Sequence, residues 1–218
     1  MNVDVVICAR TPFCCIARKY GFLTGRNTKV WHLDCDCPVE FLDWWFKDPD
    51  ISRHISLTRK YKPKYAVAPD IWKPSDIDLS LLIAKKLKEF SENIIIPIHY
   101  HCEDLIPDEY VIGLPSQTSF AKAHLFLGNP SLNERKIHIL GGTPHHQMKL
   151  AKYYLKNVVS VDSNIISRIA MKFGKYWENG KWIQNPIPKG RNWKDKDDEV
   201  YRVFEISCRN VMKAWREL

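Results

Sequence analysis

The chain has 218 residues, 45% of them hydrophobic and 27% charged, which is typical of a globular domain with its own hydrophobic core. No apolar run reaches the roughly 20 residues that a transmembrane helix requires, and residues 1–10 lack the basic region of a signal peptide, so we expect a cytoplasmic protein. The net charge of +8, from 33 basic and 25 acidic residues, favours a polyanionic partner such as nucleic acid.

Seven short runs rich in Val and Ile are typical of buried strands. They span residues 3–9, 30–34, 64–70, 93–99, 109–115, 136–142 and 158–162. Helical patterns lie between them at 39–61, broken at Pro49, at 75–92, and at 143–155, where Thr143 is the expected N-cap. This alternation predicts an α/β fold with a parallel sheet, namely a compact, complete or incomplete TIM-type (β/α)8 barrel. A doubly wound open sheet is the alternative, although no GxGxxG follows the first strand.

The C-terminal part has a different composition. Residues 172–196 carry seven basic and two acidic side chains, a balance of +5, with aromatic residues between them. We predict a barrel-like catalytic domain over residues 1–171, and over 172–218 a basic, Trp-rich loop followed by a closing helix of the same domain. Basic and aromatic side chains together suit a nucleic-acid strand. The candidate nucleic-acid-binding residues are Lys175, Trp177, Lys181, Trp182, Arg191 and Trp193.

Polar residues follow several of the predicted strands, at the ends where parallel α/β folds gather their functional groups. These residues are Asp34, Asp36, Asp70, His99, His101, the pair Gly141-Gly142, and Asp162. Carboxylates that share a partly buried mouth spread their pKa values, so that one stays ionised while another holds a proton. The glycine pair allows backbone to approach a ligand closely, or simply makes a tight turn into the next helix.

The cysteines do not follow a metal-binding pattern. Seven are present, and Cys14-Cys15 and Cys35-x-Cys37 have no second pair at zinc-ribbon spacing. We therefore expect reduced thiols, many of them in the core, and neither a metal site nor a cofactor.

Three segments, "KYAVAPD", "HILGGTPHHQMKLAKYY" and "NVVSVDSN", together with "YGFLTGR", "GKYW" and "SCRNVMKAW", resemble the tRNA-guanine transglycosylase superfamily. The likeness extends in order over most of the chain and is greatest to short phage and bacterial proteins related to DNA 7-deazaguanine transglycosylases. The resemblance implies a TIM barrel in a bacterial or other prokaryotic cytoplasm. It also implies an exchange of guanine in a nucleic acid for a 7-deazaguanine base, with no cofactor.

The resemblance also implies roles for individual residues. Asp162 resembles the nucleophile that attacks C1′ of the sugar and forms a covalent glycosyl-enzyme. Asp34 or Asp36 resembles the early acid that moves protons, and Asp70 resembles the aspartate that reads the guanine edge. Gly141 and Gly142 resemble the backbone that contacts the base, with His99 as a further candidate at the base site. Displacement at an anomeric carbon does require a carboxylate nucleophile and a proton carrier.

The sequence departs from that superfamily in two places. Only Cys208 follows Asp162, so the zinc cluster of the tRNA enzymes is absent, and "LDCDCP" replaces the "DSGGF"-type segment around the early acid. The chain is also short for the family and has no tRNA-binding extension. DNA rather than tRNA is therefore the expected polymer.

Two other functions stay open. His32, Asp34 and Asp36, with His99, His101 and His138, are residue types that hold zinc or manganese in metal-dependent barrel hydrolases. A non-catalytic nucleic-acid-binding protein would use the basic, Trp-rich stretch and would keep salt-sensitive binding without Asp162.

Overall fold

Eight parallel strands form a closed barrel. The computed structural model describes residues 3–29, 37–116, 128–185 and 198–218. Each strand pairs with the next one in the chain, and β1 pairs with β8, which closes the barrel. The strands are β1 Asp4–Ile7, β2 Leu23–Asn27, β3 Phe41–Asp43, β4 Tyr65–Val67, β5 Asn93–Pro97, β6 Val111–Pro115, β7 Ile137–Leu140 and β8 Val158–Ser163. The predicted TIM-type barrel is confirmed, and its sheet of eight strands is complete.

Helices follow five of the barrel strands in the described part of the chain. They are α1 Phe13–Arg18, α2 Ile51–Tyr61, α3 Ile77–Leu87, α4 Pro144–Tyr153 and α5 Ile165–Phe173, with single 3-10 turns at Pro74–Asp76, Glu103–Leu105 and Pro130–Leu132. Thr143 caps α4 as predicted, since its hydroxyl accepts the His146 N–H at 3.3 Å. Within the described residues, no helix combines the length and the apolar character needed to cross a membrane.

The second and third strands differ from the prediction. The predicted strand at 30–34 lies outside the described residues, while β2 and β3 were not predicted. The predicted helix at 39–61 is wrong in its first part, because Phe41–Asp43 is strand β3 and the helix begins only at Ile51. Phe41 and Leu42 are fully buried, one inside the barrel and one outside, and pairing with β2 and β4 stabilises the extended backbone. A three-residue strand is too short to show a period of two in the sequence.

Side chains alternate between the barrel interior and the helical layer, as the pleat of a strand requires. Strand β2 shows this clearly. A Cβ atom on Gly25 would meet Val6 and Phe41 of the interior, and Asn27 lines the cavity at the barrel mouth. Arg26 points outward, where its guanidinium donates to Cys14 Sγ on α1 at 3.3 Å.

The C-terminal part packs on the barrel. An antiparallel hairpin, β9 Lys175–Glu178 and β10 Lys181–Gln184, precedes the long helix α6 Asp198–Arg216. The rings of Phe13 on α1 and Phe204 on α6 meet edge to face at 4.9 Å. One stripe of α6 is buried against the rest of the structure, namely Val200, Val203, Phe204, Ser207, Val211 and Trp215.

His54 links α2 to the barrel and makes the fold sensitive to acid. The side chain is fully buried, with Nε2 2.8 Å from the carbonyl oxygen of Val67 on β4. Burial lowers the pKa of His54 to about 4. Protonation therefore favours the unfolded chain, where the pKa is about 6.5.

We expect the free energy of unfolding to fall as the pH drops from about 6.5 towards 4, by up to about 3 kcal/mol from His54 alone. Urea denaturation across this range should show a smaller loss for His54→Gln, which cannot titrate, than for wild type. The exposed His145→Gln is the matched control and should follow wild type. Parallel pH profiles for wild type and His54→Gln would contradict this account.

Candidate functional site

A cavity of about 650 Å³ lies at the carboxyl ends of the barrel strands. This volume is in the range of small-molecule sites. Every barrel strand, or the loop that directly follows it, contributes to the lining. Contributing residues include Cys8, Asn27, Asp43, Asp70, His99, Pro115, Gly141 and Asp162. The predicted residues Asp70, His99, Gly141, Gly142 and Asp162 therefore do come together.

Asp162, near the carboxyl end of β8, is held by one backbone group and one side chain. Its Oδ1 accepts the Gly141 N–H at 3.0 Å and lies 3.2 Å from His138 Nε2. His138 is fully buried, stacks on Phe41, and has Nδ1 2.8 Å from Ser160 Oγ. These contacts fix Oδ1 in place, and Oδ2 faces Cys8.

Cys8 is the neighbour of that second oxygen. Its Sγ lies 4.0 Å from Asp162 Oδ2, which is a weak contact at the limit for a thiol hydrogen bond. Burial, and then the charge of Asp162, raises the pKa of the Cys8 thiol well above its usual range. The thiol therefore stays protonated and is a weak nucleophile.

The glycine pair forms the turn between β7 and α4. Gly141 and Gly142 have φ values of +66° and +89°, a region that favours glycine. Ser116 Oγ and Gln147 Nε2 each donate to the Gly141 carbonyl at 2.7 Å. The turn is thus rigid, and the Gly141 N–H is already bound to Asp162. The Gly141 N–H therefore orients the Asp162 side chain.

Asp43 is the residue that the sequence analysis missed. It ends β3 and lines the cavity together with Asp70 and Asp162. Burial, and then the charges of Asp162 and Asp70, raises the pKa of Asp43 well above its usual range. The predicted early acids Asp34 and Asp36 lie outside the described residues. Among the described residues, Asp43 is the acid that an early strand brings to the mouth.

Asp70 and the aromatic side chains form the opposite wall. His99 Nε2 lies 2.9 Å from Asp70 Oδ1, and the His99 ring stacks on Trp72 with centroids 3.3 Å apart. Phe46 stands beside Trp72, with ring centroids 6.4 Å apart, and both rings are more than 40% exposed. An oriented carboxylate next to exposed rings is suited to a flat heterocycle with hydrogen-bond donors on its edge.

The predicted nucleic-acid-binding residues have different positions. Lys175, Lys181 and Trp182 lie on the β9–β10 hairpin, and its turn reaches the cavity side of the barrel, because a Cβ on Gly180 would lie 3.0 Å from His145 Nδ1. The prediction for Trp177 is wrong. Only 3% of this residue is exposed, and its backbone N–H donates to Ser207 Oγ on α6 at 2.9 Å, so its ring is packed inside and cannot stack on a base. Arg191 and Trp193 lie outside the described residues.

Potential metal ligands at the mouth are spread out. His138 lies beneath Asp162, and His99 is paired with Asp70. His101 lies against Glu103, with Nδ1 3.1 Å from Oε1. Within the described residues, one group of at least three potential ligands has metal-binding spacing, and it consists of Cys14, Cys15 and Cys37 on the outside of the barrel. His32 lies outside the described residues.

The fold and the site define a (β/α)8-barrel protein in which the described residues place three acidic side chains in a cavity at the carboxyl ends of the strands. The chain belongs to the family described as a family of unknown function, DUF6610, which matches residues 17–216. A comparison with curated proteins found no match.

The turn at Gly142 gives a first test of the site. A Cβ at this position would lie 2.2 Å from Ser116 Oγ, the atom that holds the Gly141 carbonyl. We expect Gly142→Ala to lower the free energy of unfolding by about 1–3 kcal/mol through backbone strain, and further through the lost Ser116 contact.

Gly128→Ala is the matched control, because Gly128 has a φ of +83° and a Cβ there would meet nothing within 4 Å. Both variants introduce backbone strain, but only Gly142→Ala also crowds Ser116. The difference between their urea midpoints therefore measures the effect of crowding. Equal destabilisation would show that the contact with Ser116 does not matter.

Asp43 gives a second test. The folded protein holds the Asp43 proton more tightly than the unfolded chain, whose carboxyl has a pKa of about 4. The free energy of unfolding that Asp43 contributes therefore falls as the pH rises from about 4 through the raised pKa.

Asp43→Asn mimics the protonated acid, so we expect its stability to improve relative to wild type as the pH rises. Chemical denaturation at a series of pH values measures this difference. Asp48→Asn, at a largely exposed carboxylate, is the control and should run parallel to wild type. A constant difference between Asp43→Asn and wild type at all pH values would show that Asp43 has an ordinary pKa.

Proposed function

We propose that the protein is a base-exchange transglycosylase that replaces guanine in a nucleic acid, with DNA the expected polymer, by a 7-deazaguanine. The observation that carries the proposal is the convergence of Asp43, Asp70 and Asp162 on one cavity with distinct surroundings for each carboxyl group. A reaction at an anomeric carbon uses such a division, with one carboxylate as nucleophile and another as proton carrier.

Asp162 is proposed as the nucleophile. Its Oδ1 is bound by the Gly141 N–H, which orients the carboxylate, and its Oδ2 is the oxygen with room to react. Attack of Oδ2 on C1′ forms a C–O bond and breaks the bond from C1′ to N9 of guanine. The second attack, by N9 of the incoming base, breaks that C–O bond and restores the original configuration at C1′.

Asp43 is proposed as the proton carrier, in place of the Asp34 or Asp36 expected from the resemblance. Its raised pKa keeps it protonated, so it has a proton for the departing guanine anion. The resulting carboxylate then accepts the N9 proton of the incoming base, which returns Asp43 to its starting state. Asp34 and Asp36 remain alternatives for this role.

Asp70 and the aromatic wall are proposed to hold the base. The N1–H and 2-amino groups of guanine are adjacent donors, which a carboxylate fixed by His99 can accept together. The exposed rings of Phe46 and Trp72 would stack on a base that has left the helix or belongs to a single strand. Lys47 and Arg168 also line the cavity and offer positive charge to the phosphates on either side.

The test is incubation of purified protein with labelled guanine and with single-stranded DNA, double-stranded DNA or tRNA. We expect label to enter one of these polymers with wild type and to be lost with Asp162→Ala and Asp162→Asn. Asp108→Asn is the matched control, because this carboxylate is 93% exposed and precedes β6 at the other end of the barrel.

The rival functions predict other results. A binding protein would show no incorporation, and salt-sensitive binding to nucleic acid would survive in Asp162→Ala. A metal-dependent hydrolase would not incorporate labelled guanine, and its hydrolytic activity would be lost when the metal is removed from the cavity. Incorporation that persists in both Asp162 variants would overturn the role of that residue.

A further inference from the structure

Three cysteine sulfur atoms meet on the outer side of strand β2. The Sγ atoms of Cys14, Cys15 and Cys37 all lie within 4.8 Å of one another. Cys14 and Cys15 are 3.9 Å apart, and Cys15 and Cys37 are 2.8 Å apart. None of these three residues lines the cavity at the barrel mouth, so the cluster is separate from the proposed active site.

Contacts that do not involve sulfur fix both sides of the cluster. Cys14 and Cys15 belong to α1, and Cys37 belongs to the segment that leads into β3. The Thr24 hydroxyl on β2 donates to the Pro38 carbonyl. Arg18 on α1 forms an ion pair with Glu40 at 2.6 Å. The fold therefore brings the sulfurs together without depending on a bond between them.

The spacing and number of the sulfurs favour a metal over a disulfide. Zinc–sulfur bonds of about 2.3 Å in a tetrahedron place the sulfurs about 3.8 Å apart, which is close to the separation of Cys14 and Cys15. A disulfide between Cys15 and Cys37 would use two sulfurs and leave the third without a role. Cys15 is partly exposed, so its side chain can rotate and open the short distance to Cys37.

The charges around the cluster also fit a metal. Three thiolates and one Zn²⁺ carry a net charge of −1, which is costly to bury without a counter-charge. Arg26 is 4% exposed, and its guanidinium donates to Cys14 Sγ at 3.3 Å. Its positive charge offsets the complex in the way that groups around a metal site commonly do.

We propose that Cys14, Cys15 and Cys37 bind a zinc ion, with water in the fourth position on the exposed side of Cys15. The ion ties α1 to the segment that enters β3, the strand that carries Asp43. These ligands lie in the N-terminal part of the chain, so the site differs from the zinc cluster that follows the nucleophile strand in the tRNA enzymes. The sequence pattern does not predict this site, because the ligands are close only in the fold.

The test is the metal content of tag-free protein purified under reducing conditions, measured by inductively coupled plasma mass spectrometry. We expect stoichiometric zinc in wild type, and its loss in Cys15→Ser and in Cys37→Ser. Cys102→Ser is the matched control, because Cys102 is a buried thiol outside the cluster and should keep the zinc. Circular dichroism checks that each variant is folded, and the zinc-free variants should have a lower Tm than Cys102→Ser.

Cobalt gives a readout that needs no variant. Co²⁺ added to zinc-free, reduced wild type should produce the intense near-ultraviolet absorption of sulfur-to-cobalt charge transfer, and Zn²⁺ should abolish it by displacement. The proposal is overturned if reduced wild type neither contains zinc nor gives this absorption. It is equally overturned if the folded Cys15→Ser and Cys37→Ser variants retain stoichiometric zinc, since the ion would then lie elsewhere.

Discussion

Closure of the barrel by the β1–β8 pair is the constraint on which the site depends. This pair sets Val6 opposite Asp162 and Ile7 opposite Ser163, so the first and the last strand of the barrel become neighbours. The same register places Cys8 against the Asp162 carboxylate, while β7 on the other side supplies His138 and the Gly141 N–H. Closure also leaves the barrel without edge strands, which stabilises the sheet. The same strand pairing therefore supports the stability of the barrel and sets the geometry of its mouth.

Bringing the carboxyl groups of Asp43, Asp70 and Asp162 together at the barrel mouth is electrostatically unfavourable. Three carboxyl groups share a cavity that is partly shielded from water, and their mutual repulsion would oppose folding if all three were ionised. The structure reduces this cost by different means at each group. Asp70 is paired with His99, Asp162 accepts a backbone N–H, and Asp43 retains its proton.

Much of the fold could be predicted from the sequence, because short apolar runs that alternate with helical patterns predict a parallel α/β fold. Asp162, Asp70 and Gly141-Gly142 could be placed at the mouth for the same reason, since each follows a clear strand. Asp43 could not, because "FLDWWF" is an apolar run without a distinct period and β3 has only three residues. The available signal was Asp50, whose side chain accepts the Arg53 N–H and marks where the helix begins. Trp177 was misassigned because interleaved charge and aromatic residues look alike in an exposed loop and in a hairpin packed on a helix.

Strand β2 separates two chemical environments by the thickness of one backbone. Gly25 and Asn27 face the acidic interior, whereas Thr24 and Arg26 face the cysteines and α1. Because side chains alternate, an insertion or deletion of one residue within β2 would exchange the two faces. Arg26 would then project its charge into the barrel beside Asp43, and the cysteines would lose their cation. The length of β2 is therefore fixed by both of its faces at once.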